Sequence, residues 1–491
     1  MSGLSKRLTD CNEAPIQARG DYVLYWMITQ RRLTWNFGLQ AAVKASVKLN
    51  KPLVIFEPLR LGYRWSSPRF HQFIVEGMLD NAALCSESKA LYFPYVEERE
   101  GDGRGLLQTL GSSACQIFTD EFPCFFLPRM VRAAAAQLPV RLTQVDSNGI
   151  LPLRAAERHF TTAYSFRREL QKTLPTYLSA FPCPEPLDAL SVSLKPQSLS
   201  CVYKNWRPSV PESLLEKQFK SFSFQHQTPP AVLRGGSVAA QAHLQTFLES
   251  RLHRYDEDRN KTIKGAASGL SPYLHFGHIS PHEILNRILS QCSWTPEKLG
   301  TKATGSRHGW WGLPSYAEAL VDQLITWREL GYVFNFHNPD TYDQFDSLPA
   351  WAKDSMEKHR DDPRPETYNF EELEQGRTQD PLWNAAQRQL RTEGVMHNYL
   401  RMLWGKKIYQ WSANPETALE TLIELNNRFA LDGRNPNSYS GIFWTLGRFD
   451  RAWGPERPIF GKLRYMTSAS TARKLKPGAY IDRYGGLEGT Q

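Results

Sequence analysis

The apolar pattern of this chain changes period once, and that change limits its fold more than any other feature. Short apolar runs at 22–28 (YVLYWMI), 51–58 (KPLVIFEP), 90–96 (ALYFPYV), 115–121 (CQIFTDE) and 140–149 (VRLTQVDSNG) alternate with stretches of helical spacing at 31–50, 69–84, 106–114 and 130–138. Continuous apolar runs between helices fit strands buried on both faces. The spacing therefore predicts a parallel, doubly wound α/β domain over 20–180. After Ser237 strand signals almost vanish, and helical spacing takes over at 239–255, 280–292, 315–334, 384–395, 396–411 and 415–429. A second, all-α domain is expected over 237–480. The Pro-, Ser- and Lys-rich stretch 181–236 reads as a linker, and 1–20 as a disordered leader. No G-x-G-x-x-G follows the first strand, so a dinucleotide is not expected there.

Composition excludes several classes. No apolar run approaches the roughly 18 residues of a membrane span, and the N-terminus lacks an apolar signal core. The seven cysteines stand singly, without a C-x-x-C pair, which argues against zinc, iron–sulfur clusters and a disulfide framework. No metal is expected. A reducing compartment is: the cytoplasm, with nucleoid association, or a nucleus. The net charge of +9 suits a polyanionic partner such as DNA. The 14 tryptophans point to large buried surfaces or stacking platforms.

Met396–Trp411 (MHNYLRMLWGKKIYQW) reads as one helix with an apolar side and polar groups at His397, Arg401 and Lys407. Trp404 and Trp411 share a face about 10 Å apart along the axis. With Trp383 upstream they could wire a planar redox cofactor to the surface, or simply pack helices together. Ser268 and Ser271 precede a helix, where backbone N–H groups and hydroxyls make a phosphate seat or an ordinary capped loop. Asp432, in a Gly- and Asn-rich segment, could pair with Arg401 or sit in a surface turn. Trp327 and Trp444 could sandwich an extruded base, with Met402 beside them, or belong to the core.

Together these segments resemble one family. SGLSPYLHFG (268–277), WREL (327–330), DPLWNA (380–385), MHNYLRMLW (396–404), LDGRNPNSYSGIFW (431–444) and FGKLRYM (460–466) occur in the order seen in photolyase/cryptochrome flavoproteins, nearest to class II cyclobutane pyrimidine dimer photolyases. The resemblance implies an N-terminal α/β, Rossmann-like antenna domain and a C-terminal all-α FAD-binding domain. It implies light-driven electron donation from reduced FAD to a dimer flipped out of ultraviolet-damaged DNA, a carbon–carbon lyase reaction. Ser268, Leu270, Ser271 and Tyr255 would lie along the FAD phosphates. Arg401, Asp432, Gly433 and Asn426 would lie beside the flavin. Electrons would pass along Trp404, Trp383 and Trp411. Trp327, Trp444 and Met402 would contact the lesion, and Arg451, Arg464 and Lys462 the DNA. An antenna pigment, a deazaflavin or a folate, would belong to the α/β domain, and the protein would act as a monomer. One position departs from class II: Gln323 stands where a Glu would serve the dimer, and an amide can hydrogen-bond a carbonyl but cannot supply a proton. That departure keeps two alternatives in view, a photoreceptor of cryptochrome type and a (6-4) photoproduct repair enzyme, which would need histidines such as His337, His359 or His397.

Overall fold

The computed structural model describes residues 5–194, 196–263 and 265–486. The chain forms two compact units. One comprises Met1–Glu157, Thr173–Gln245 and Leu270–Ser293, and the other Arg158–Lys172, Thr246–Gly269 and Trp294–Gln491.

The first unit is built on a sheet of order β1-β6-β5-β2-β3-β4, with β1 Leu8–Asp10, β2 Tyr22–Trp26, β3 Leu53–Leu59, β4 Leu91–Val96, β5 Ala114–Asp120 and β6 Leu142–Val145. β2 to β6 run parallel, and β1 is antiparallel on β6. Every residue of β2 is buried. Tyr22, Leu24 and Trp26 join Val54 and Phe56 on one face, while Val23 and Tyr25 join Leu53 and Ile55 on the other. Helices Phe37–Leu49, Pro68–Ser86, Leu106–Ser113 and Leu127–Ala135 connect the strands. The α/β expectation thus holds.

Three details differ from the sequence reading. The leader expected to be disordered supplies β1, and the Arg7 guanidinium beside it donates to the carbonyls of Asp146, Gly149 and Ile150. The last strand stops at Val145 rather than 149, because the Asp146 carboxylate accepts the N–H groups of Asn148 and Leu153 and turns the chain. The stretch 181–236, expected as a linker, is packed within the sheet unit. The Ser209 N–H meets the Pro94 carbonyl and its hydroxyl accepts from the Val96 N–H, so this segment covers the end of β4. Gly235 and Gly236 seat it on the Pro68–Ser86 helix. A Cβ at Gly235 would lie 2.0 Å from the Phe73 carbonyl oxygen, and one at Gly236 (φ +93°) 2.2 Å from Asp80 Oδ2. These glycines serve close approach, not flexibility.

The second unit is helical. Ala163–Thr173, Ser315–Val321, Arg328–His337, Pro381–Glu393, Asn398–Trp411, Pro415–Phe429 and Pro436–Thr445 carry the residues of interest. The single helix expected over 315–334 is interrupted by a π turn at Asp322–Trp327, a one-residue insertion often found at functional sites. Beyond it, Arg328–His337 lies directly against Pro436–Thr445. A Cβ at Gly331 would come within 2.4 Å of Ser440 Oγ.

Candidate functional site

The Asn398–Trp411 helix starts at His397, whose ring accepts the Tyr399 N–H. Burial lowers the His397 pKa, and its other ring nitrogen meets the Arg259 carbonyl at 2.9 Å. Trp404 and Trp411 on this helix and Trp383 on Pro381–Glu393 are all buried. The Trp383 indole N–H donates to the Trp404 carbonyl at 3.0 Å, and the Trp404 N–H donates to Gln387 Oε1 at 2.9 Å. Trp383 and Trp411 meet edge to face, with centroids 5.3 Å apart. Trp383 thus links the other two, touching the Trp411 ring and bonding to the Trp404 backbone. The far end of this file is not at the surface: Trp411 is only 2 % exposed, under Lys407 and half-buried Tyr368, whose ring lies 5.0 Å away.

On the same helix, both terminal nitrogens of Arg401 lie 3.0 Å from one Asp432 oxygen. Solvent reaches this pair (side chains 20 % and 16 % exposed), although Leu400, Leu403 and Leu431 beside it are fully buried. The pair is therefore reached by solvent from within a mostly buried stretch of the helical unit. Buried Asn426 donates to Ser438 Oγ at 2.7 Å, and Gly433 closes the turn that carries Asp432. A cation, a carboxylate and amides in such a place suit a polar, planar ligand. Tyr255 is buried in the helical unit against Phe247 and under the Arg259 guanidinium. Ser268, in the same unit, is half-buried. Leu270 and Ser271 belong to the sheet unit; Leu270 is buried, and Ser271 opens a short helix, Ser271–His275.

From Ala317 to Asn335 every residue is buried except Gln323 and Trp327, which are half-buried. Four residues apart across the π turn, these two side chains share one outward face. Trp327 lines a cavity of about 480 Å³ with Tyr164, Arg167, Arg307, Phe449 and Arg451. Trp444 and Met402 are also half-buried. The Arg464 guanidinium lies 5.3 Å from the Trp444 ring, 4.0 Å from Trp453, and pairs with Asp450 at 3.0 Å. Asp450 is held below the usual carboxylate range by Arg464 and the Arg451 N–H, against the opposing effect of burial. Arg451 is exposed and rests on Trp453, while Lys462 faces Glu456 at 3.6 Å. The sequence reading missed Tyr164, Arg307, Phe449 and Trp453. Aromatics close to arginines in sequence, as in Phe449 to Trp453, were the available signal, but Tyr164 and Arg307 lie far from them along the chain.

Behind Trp444 lies Lys406, wholly buried, with its ammonium 5.6 Å from the indole and donating to the Thr445 carbonyl. Burial lowers its pKa from 10.5 to about 7, with Asp450 opposing and Arg464 assisting. Because the folded pKa lies below the unfolded one, the unfolded chain binds more protons between these values. Stability from this group should rise with pH above about 7, by up to about 1.4 kcal/mol per pH unit. Thermal unfolding of wild type and Lys406→Met between pH 6 and 9 should show the wild type gaining on the variant as pH rises. Parallel curves would count against it.

Among the described residues no group of three or more His, Cys, Asp or Glu could hold a metal ion. Nor, among the described residues, is any helix long and apolar enough to cross a membrane. The model of the FAD binding domain of DNA photolyase matches residues 320–409. Three relatives are each named deoxyribodipyrimidine photo-lyase. That of Methanothermobacter thermautotrophicus is 33 % identical, covering 98 % of this chain and 99 % of its own. That of Potorous tridactylus is 30 % identical over 95 % and 81 %, and that of Arabidopsis thaliana 31 % over 94 % and 88 %. The crystal structure of a bacterial class III photolyase from Agrobacterium tumefaciens superposes with a TM-score of 0.64 at 17 % identity, covering 95 % of this chain and 86 % of that one.

Proposed function

Since the chain belongs to the DNA photolyase family, with an FAD-binding helical domain, we propose that it splits cyclobutane pyrimidine dimers in ultraviolet-damaged DNA, with a class II arrangement of residues. When bound, FAD supplies the light-absorbing, electron-donating group. Arg401, Asp432, Gly433 and Asn426 would hold its ring system. Ser268 and Tyr255, in the same helical unit, would hold its phosphate side. A guanidinium beside the ring favours negative charge there by Coulomb attraction. Trp327 and Trp444 offer aromatic faces to a flipped base pair and Met402 a polarizable edge. Arg451 and Lys462 would meet phosphates, and Arg464 would keep Asp450 neutralised behind them. We assign the sheet unit the antenna role and the helical unit the catalysis.

The observation that carries the lesion reading is the exclusive outward exposure of Gln323 and Trp327 in an otherwise buried stretch. No described residue hydrogen-bonds the Gln323 carboxamide, so its N–H₂ is available to a pyrimidine carbonyl. The (6-4) reading is less well supported. His397 caps a helix and His359 faces Asp362 and Glu456, and no histidine lines the cavity beside Trp327. Purified protein with its flavin reduced should, under blue light, restore oligonucleotides carrying a thymine dimer and leave (6-4) lesions intact. Gln323→Glu, which adds a titratable proton, should raise the yield per photon by about 3- to 10-fold, well under the roughly 10²- to 10⁴-fold that a fully placed acid can supply. A yellow protein that alters neither lesion under light would leave the photoreceptor reading standing instead.

A further inference from the structure

We propose that Arg167 is a positioning residue for the lesion site: it holds Asp322 away from the substrate and so fixes Trp327 against the cavity and the outward face that Gln323 shares with it. The inference rests on the dimer-repair reading above and adds a residue to it.

Asp322 opens the π turn and is the carboxylate next to Gln323. It is buried and gripped at two points by a guanidinium arriving from 155 residues earlier in the chain: Arg167 Nε to Oδ1 at 2.7 Å, and Nη2 to Oδ2 at 3.0 Å. This is the planar, fork-to-fork geometry that Arg forms and Lys cannot. The third nitrogen, Nη1, donates to the Gly305 carbonyl at 3.3 Å. One turn along the same helix, Gln171 accepts the Gly305 N–H at 2.7 Å and donates to the Ser306 carbonyl at 2.9 Å. One face of Ala163–Thr173 therefore fastens two walls of the cavity, the loop before Arg307 and the π turn that ends in Trp327. Arg167 and Trp327 both line that cavity.

A one-residue insertion in a helix persists only where the surroundings hold it. Without the guanidinium, Asp322 would be an unpaired buried carboxylate, which turns toward solvent or takes up a proton. The cavity adjoins it, since the guanidinium that grips Asp322 is itself part of the cavity lining. A negative charge there would repel DNA phosphates and oppose electron gain by a pyrimidine.

The test uses full-length, FAD-loaded protein. It measures affinity in the dark for an oligonucleotide carrying one thymine dimer, repair per absorbed photon at saturating lesion, and light-driven flavin reduction without DNA. Arg167→Met should weaken lesion binding by about 10-fold and lower repair per photon by about 3-fold, as expected when one member of a buried pair is removed. Flavin reduction should stay within about 2-fold, because the tryptophan file does not involve this pair. Arg167→Met with Asp322→Asn should recover most of both losses, since the amide carries no charge to be held away. A purely structural role would also recover in the double variant, so the deciding readout is the split in Arg167→Met, with lesion binding and repair falling while flavin reduction holds. Arg167→Lys, with one donor in place of the fork, should fall between, and it serves as the comparison if Arg167→Met does not retain flavin. Wild-type binding and yield in Arg167→Met, or no recovery in the double variant, would overturn the inference. If wild type itself splits no dimer, the repair reading fails instead, and the dark affinities alone judge Arg167.

Discussion

Trp383→Phe should leave the protein folded and yellow, yet slow light-driven reduction of its flavin by about 100-fold or more. The reason is position. Trp383 bonds to the backbone of Trp404 on one side and touches the ring of Trp411 on the other, so a charge moving between those rings crosses it. Phenylalanine preserves an aromatic core group but is far harder to oxidise. An added barrier of about 3 kcal/mol at the middle step is already worth two orders of magnitude. The lost indole should cost a few kcal/mol of stability at most, because the site keeps an aromatic ring. The measurement is the bleaching of the oxidised-flavin band under steady illumination with an external reductant. Repair by protein whose flavin is first reduced chemically should be near normal, which separates recharging from repair. Bleaching at the wild-type rate would make the three tryptophans helix packing and nothing more.

The helical file was legible because tryptophans at Trp404 and Trp411 mark one helix face whatever surrounds them, and the Arg401–Asp432 pair followed from a motif. Other parts of the site were not legible, for physical reasons. The π turn at Asp322–Trp327 leaves the apolar spacing of 315–334 unchanged, so a periodicity argument passes over it. The ion pair of Arg167 with Asp322 joins residues too distant in sequence for spacing to relate. The burial of Trp411 depends on Tyr368, which arrives from an irregular segment. In the sheet unit the central strands were plain, because burial on both faces writes an unbroken apolar run. β1 was invisible because three residues, LTD, carry too little pattern to stand out, and its evidence lies in partners at Val145 and Thr143. The end of the 181–236 stretch, at Gly235 and Gly236, did not read as packed because glycine marks close approach as well as flexibility, and only Phe73 and Asp80 tell the two apart.

Asp120→Ala should be among the most damaging substitutions in the chain, costing roughly 4 kcal/mol or more in the sheet unit. Asp120 is completely buried at the end of β5. One oxygen accepts the Tyr25 hydroxyl at 2.5 Å, and the other accepts the N–H groups of Ile28, Thr29 and Gln30 at 2.9, 2.8 and 2.9 Å. Burial and the facing carboxylate push the Tyr25 pKa well up, so its hydroxyl remains a donor across the working pH range. Alanine would strand four donors, and each buried unsatisfied group costs about 1–3 kcal/mol. A domain has only about 5–15 kcal/mol in all, so the loss is a large fraction of what holds the unit together. Asp120→Asn keeps acceptor oxygen but not the charge, and should cost about half as much, since bonds to charged groups are worth about twice those to neutral ones. A chain with two units need not unfold in one step, so amide exchange across Tyr22–Trp26 is the proper readout; it should accelerate in the order wild type, Asp120→Asn, Asp120→Ala. Equal protection in all three would mean that the loop after β2 is held by packing alone. The same bonds bear on ligands. β2 and β5 are neighbours where the strand order reverses, the crevice at which open α/β sheets bind phosphates. Here the amides an anion would use are already engaged by a side chain, which makes physical sense of a first strand without a glycine fingerprint. A pigment seated in this unit would have to be held by other groups.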